Sequence, residues 1–163
     1  MNTRKLTITA MLTALAIVIP FAVFFKVIVP PFTATLGSHV PMFISMVFGP
    51  GVAVFAGLGS SLGFLLNLGP LVGARAFMHV FVGLAGSLLI RKGVSYWKVS
   101  LVTAPLHGLL EVLVVMPFIE FNVYNLLIIT GVGTVLHHLV DAAISYVIIK
   151  VIRKSRIADI PQI

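Results

Sequence analysis

Apolar runs broken at short polar or Gly/Pro-rich points occupy nearly the whole chain. Six can be marked, at about 6–29, 38–48, 52–66, 71–90, 99–119 and 124–152. Pro30-Pro31, Gly49-Pro50-Gly51, Asn67-Leu68-Gly69-Pro70 and Arg91-Lys92-Gly93 punctuate them, as turn-forming residues do. No stretch alternates apolar and polar residues in ten-residue units, so an outer-membrane barrel is not indicated. The pattern predicts an all-α integral membrane protein, one domain over 1–163 with about six transmembrane helices. A full span takes roughly 20 residues. The second and third runs are individually short, either a broken hairpin or two tilted helices, so four crossings is the alternative to six. The first run is too long for a signal-peptide core and has no convincing cleavage site, so it reads as a retained helix.

Composition agrees with that class. The chain is 60% hydrophobic and 9% charged, with a mean hydropathy of +1.17; an ordinary soluble domain is about a quarter charged. The absence of cysteine excludes disulfides, iron–sulfur clusters and thiolate metal sites. The formal charge of +7 would suggest nucleic acid in a soluble protein, but here it sits in clusters beside apolar runs. Nine of the eleven Lys and Arg (Arg4, Lys5, Arg91, Lys92, Lys98, Lys150, Arg153, Lys154 and Arg156) fall at the two tails or at the turn near 91–98. Cytoplasmic loops carry such an excess. Both termini are therefore expected in the cytoplasm, with Lys26 outside and Tyr96-Trp97 at the inner interface as an anchor. The last seven residues read as a frayed tail. There is no internal repeat and no GxxxxGK[ST], so the chain holds no P-loop of its own.

The stretch 36–82 departs from this apolar background, because it carries Arg75, His39 and His79. An ionisable residue inside a membrane is a functional-site hypothesis by default, since lipid does not solvate it. Arg75 and His79 are four apart and share a helix face, and His39 falls at a similar depth. His107 with Glu111, and His137 with Asp141, repeat the four-residue spacing. A guanidinium matches the two oxygens of a carboxylate and stays charged when desolvated. Arg75 is thus either an anchor for a ligand carboxylate or half of a structural pair with Glu111 or Asp141. His39 and His79 are pocket hydrogen-bonding groups or satisfied core histidines. Asn67, Tyr124 and Asn125 border the expected outer mouth, and Phe32, Phe121 and Tyr124 offer rings for stacking. The His/acid pairs read first as neutralising helix ties; as metal ligands they would suit zinc, nickel or cobalt. No cofactor and no metal is expected.

Small residues add a packing signal. Gly59 and Gly63 allow close approach in the third run, and Ala10 and Ala14 lie one turn apart in the first. A short, basic-ended, six-helix chain with Ala10-x-x-x-Ala14 in its first helix and no ATPase motif resembles the S component of an energy-coupling factor (ECF) vitamin transporter. The stretch from Ser38-His-Val-Pro41 through Ala74-Arg-Ala-Phe-Met-His79 is most similar to the niacin type. The resemblance implies a non-enzymatic, substrate-capturing subunit in a prokaryotic plasma membrane. It would bind a small vitamin-like carboxylate from outside, niacin first and pantothenate next. Its partners would be a transmembrane coupling subunit, docked on Ala10 and Ala14, and two ATPase subunits; no nucleic acid is involved. The cobalt and nickel branch of the wider group uses a His after the initiator Met, where this chain has Asn2. A metal or proton permease and an intramembrane His/acid metalloenzyme are the alternatives.

Overall fold

The computed structural model describes residues 3–155; Asn2 and the tail from Arg156 onward lie outside them. The order is α1 (Thr3–Ala22), β1 (Lys26–Val29), β2 (Phe32–Thr35), α2 (Val40–Phe48), α3 (Pro50–Leu68), α4 (Pro70–Arg91), α5 (Tyr96–Val115), a 3₁₀ turn at Met116–Phe118, a π-helical segment at Tyr124–Val132 and α6 (Gly133–Lys154). Among the described residues, five helical stretches are long and apolar enough to cross a membrane: α1, α3, α4, α5 with its 3₁₀ turn, and the π-helical segment continued by α6.

The first run is not one helix to Val29. It ends at Ala22, and the next residues form an antiparallel hairpin with Lys26 opposite Thr35 and Val29 opposite Phe32. The expected all-α class is corrected to that extent. The cause is local. Val27-Ile28-Val29 is a β-branched run, stiff at χ1 and suited to a strand, and the proline pair after it bars continuation of a helix. Lys26 donates from Nζ to the Pro20 carbonyl at 2.9 Å, closing the free end of α1.

Helices α3 and α4 each begin with proline at the first helical position, after Gly49 and Gly69 at φ 118° and 87°. Proline there forfeits only a donor that has no intrahelical partner. The third run is longer than expected, a 19-residue helix. The second is shorter, with nine residues, or about 14 Å of rise against a hydrocarbon core of roughly 30 Å. It is not a lipid-facing span, because Val40 through Val47 are all buried. Met42, Phe43 and Met46 form the centre of the main core with Val52, Val82, Val99 and Ile149. Tyr96 belongs to that core too. It is 1% exposed and donates its hydroxyl to the Ala142 carbonyl at 2.8 Å, so it is a packing residue and not an interfacial anchor.

Glycine sets the closest helix contacts. A Cβ on Gly57 would fall 2.6 Å from the Val80 backbone nitrogen, and one on Gly63 would fall 2.5 Å from the Ile17 carbonyl oxygen. These positions join α3 to α4 and to α1, as small residues do in lipid. The glycine face of the third run is therefore used inside the bundle. Arg4, Ile8, Phe48 and Ile152 line one groove, so the start of α1, the end of α2 and the end of α6 share one end of the molecule. The hairpin covers the other end of α4 and α6, where Arg75 and Gly133 approach it.

Candidate functional site

The chain turns inward after β2, through Gly37 and Ser38, and delivers His39 to the start of α2. Arg75 and His79 reach the same region from α4, His107 and Glu111 from α5, and Thr134, His137, His138 and Asp141 from α6. Of these side chains only His137 is more than marginally accessible. Burial of so many polar groups demands internal partners, and the partners are cross-helix ones.

Arg75 is 3% exposed. Its Nε and Nη2 donate to Glu111 Oε2 at 2.9 and 2.6 Å. Nη1 donates to the Pro31 carbonyl and to Thr33 Oγ1, both at 3.1 Å, and Nη2 to the Thr33 carbonyl at 3.3 Å. All five guanidinium donors therefore have acceptors. One edge holds α5 and the other holds the hairpin, with the Phe32 ring 5.5 Å from the guanidinium carbon. Glu111 Oε2 also accepts from Thr134 at 2.7 Å. The structural-pair reading of Arg75 is thus realised with Glu111. Its hairpin-facing edge is held only by neutral acceptors.

Asp141 organises the inward turn. Its two oxygens accept from the backbone N–H groups of Gly37 at 2.8 Å and His39 at 3.0 Å. His39 Nδ1 lies 3.0 Å from Asp141 Oδ2, and His137 Nε2 lies 3.5 Å from it. Ser38 Oγ is 3.1 Å from His137 Nε2, and Ser60 Oγ is 2.8 Å from His79 Nδ1. His107 Nδ1 meets His138 Nδ1 at 3.1 Å, while its Nε2 is 3.4 Å from Glu111 Oε1. His39 Nδ1 and His107 Nε2 are buried with no aligned hydrogen-bond partner. Two groups bring potential metal-ligand atoms within 4.8 Å of one another: His39, His79 and His107, and His39, His137 and Asp141.

The serine–histidine contacts do not have the order of a Ser-His-Asp triad. Ser38 and Asp141 approach the same nitrogen of His137, so the acid does not orient the ring from its far side. His79 has no carboxylate in hydrogen-bond contact among the described residues.

A narrow cavity of about 20 Å³ lies beneath the hairpin, lined among others by Phe32, Thr33, His39, Arg75, His79 and Glu111. One water molecule needs roughly 10–15 Å³ of such space, so the cavity as it stands is too small for an aromatic ring. Arg75, His79 and His39 are brought together here. Asn67, Tyr124 and Asn125 are not. Asn67 donates from Nδ2 to the Pro20 carbonyl and ties α3 to α1. Tyr124 is 61% exposed, and the Asn125 backbone is held by Asn122. Phe32 is a lining ring, whereas Phe121 is exposed. Sequence spacing missed Thr33, Thr134 and Ser60. The expected alternative of a structural Arg75–Glu111 pair is realised and is closer than His107–Glu111, whereas for Asp141 the spacing offered His137 and His39 is the closer partner.

Comparison with known proteins returns the niacin transporter NiaX of Lactococcus lactis subsp. cremoris (strain MG1363), 33% identical over 154 residues, covering 85% of this chain and 69% of that protein. The chain belongs to the niacin-type S-component family. It is accordingly a multi-pass protein of the cell membrane. No family model and no solved structure matches it.

Proposed function

We propose that the chain is the substrate-binding subunit of an ECF-type ATP-driven importer and that it captures niacin, as nicotinate, from outside. The observation that carries this reading is Arg75, a buried guanidinium in the wall of the cavity beneath the hairpin. The relative named as a niacin transporter supports the choice of solute. Pantothenate, also a carboxylate, comes next. When the hairpin lifts, the Nη1 and Nη2 donors leave Pro31 and Thr33 and meet the carboxylate, while Glu111 keeps the other edge in place. A charged acceptor replaces neutral ones, which strengthens the bonds. His39, His79 and Phe32 surround the ring. The chain does no chemistry on the solute. Energy comes from two ATPase subunits through a transmembrane coupling subunit that docks on Ala10 and Ala14.

Isothermal titration of the purified chain should give saturable nicotinate binding. Nicotinamide, which has the same ring and no carboxylate, should bind at least tenfold more weakly. Equal affinities would remove the anchor role, and no binding of either would remove niacin as the solute. The orientation follows from the basic clusters: both termini face the cytoplasm and the hairpin faces out. A reporter inserted at Gly93 is expected to read cytoplasmic, and an external signal there would invert the topology.

A further inference from the structure

We propose that His39, His79 and His107 form a binding site for one divalent transition-metal ion of the zinc, cobalt or nickel type, whatever the solute. The three imidazoles come from three separate elements, the start of α2, α4 and α5. They are 2%, 3% and 0% exposed. Their ring centroids are 4.6, 4.8 and 5.1 Å apart, and the planes cross at 80°, 82° and 78°. Three mutually near-perpendicular rings are placed like faces meeting at a corner. Each offers a ring nitrogen to a common space less than 4.8 Å across. Zinc–nitrogen bonds of about 2.0–2.1 Å in a tetrahedron put ligand atoms roughly 3.3 Å apart, so binding draws the rings in by about an ångström or less each.

The outer contacts match at two of the three histidines. A metal-bound histidine is held through its other ring nitrogen by an outer partner. His79 Nδ1 is held by Ser60 Oγ at 2.8 Å. His107 Nδ1 is held by His138 at 3.1 Å. His39 Nδ1 stands 3.0 Å from Asp141 Oδ2 but makes no aligned hydrogen bond to it. At His79 and His107 the outer contacts leave Nε2 for the shared centre, and at His39 the unpartnered Nδ1 is itself a candidate ligand atom. His107 Nε2 is a buried nitrogen without a hydrogen-bond partner, an arrangement that costs on the order of 1–3 kcal/mol if nothing satisfies it, and a cation would satisfy it. Glu111 Oε1 lies 3.4 Å from that nitrogen alone and is not grouped with the three imidazoles, so the fourth position is left to water or another small ligand. Imidazole suits this class of ion. The second group, His39, His137 and Asp141, is the weaker candidate, because Asp141 already accepts two backbone N–H bonds and fixes the turn.

The chain is purified in detergent without a polyhistidine tag, stripped with chelator and titrated with cobalt(II), read by visible absorption and elemental analysis. One ion per chain is expected, with the intense bands of a tetrahedral nitrogen-rich site. His79→Asn and His107→Asn should each weaken cobalt binding by tenfold or more, and His137→Asn by less than threefold. If the variants do not fold, the wild-type stoichiometry and band intensity still decide. Absent saturable binding, or only the weak bands of a hydrated surface ion, would overturn the site. So would full affinity in the His79→Asn/His107→Asn double variant, or a larger loss in His137→Asn than in His79→Asn.

Discussion

Arg75→Ala is expected to lower nicotinate affinity by tenfold or more and to destabilise the protein strongly, and the two effects have different origins. Stability falls because Glu111 loses its nearest cation, at 2.6 Å. Removing one partner of a buried ion pair typically costs about 3–5 kcal/mol, since the other charge is left uncompensated. Affinity falls because the ligand carboxylate loses its donors. Charged hydrogen bonds contribute roughly 1.5–3 kcal/mol each, and about 1.4 kcal/mol is a factor of ten in binding. Arg75→Lys tests the geometry. Lysine keeps the charge beside Glu111 but cannot serve two edges at once, and Arg75 now reaches both Glu111 and the Pro31–Thr33 backbone. Affinity in Arg75→Lys should therefore still fall markedly. The double variant Arg75→Ala/Glu111→Gln separates the two origins. It removes both charges and keeps a group for Thr134 to bond, so thermal stability should largely return while binding does not. Wild-type affinity in that double variant, measured by calorimetry, would leave Arg75 with a purely structural role.

How the sequence anticipates this site depends on the kind of signal. Helix α4 was readable almost to the residue, because Gly69-Pro70 and Arg91-Lys92 punctuate its ends. The face carrying Arg75 and His79 follows from their spacing alone. The hairpin was not readable as such. Hydropathy treats Val23 to Val29 as continuous with α1, and only the β-branched run and the proline pair argue otherwise. That misreading hid Thr33 and Pro31, the residues that close the cavity over Arg75. Spacing along one helix likewise proposes partners only within that helix. Contacts between elements far apart in sequence need more: Arg75 with Glu111 could be offered as one of two structural pairs from their opposite charges, but His39 with Asp141 could not. The short second run was legible as short, but its burial on all sides was not, since a buried helix and a lipid-facing one have the same composition.

Ala14→Trp is expected to reduce uptake in cells by at least tenfold while nicotinate binding by the purified chain is retained. The structure shows why the two readouts should separate. Helix α1 buries Thr9, Leu12, Ala16 and Ile19, and on that side Gly59 and Gly63 of α3 come against the backbone of Thr13 and Ile17. Ala10 and Ala14 are exposed on a different face, among Met11, Val18 and Phe21. A large ring at position 14 therefore meets nothing inside the bundle and leaves the cavity beneath the hairpin undisturbed. It would still prevent a partner helix from approaching the backbone closely, which is the main source of helix association in lipid. Leu113→Trp provides the control. Leu113 is an already large, exposed side chain on α5, and its replacement should leave uptake within about twofold of wild type. If Ala14→Trp also left uptake unchanged, with expression equal to wild type, a partner could not be packing against this face. Loss of binding together with uptake would instead mean that α1 supports the site itself.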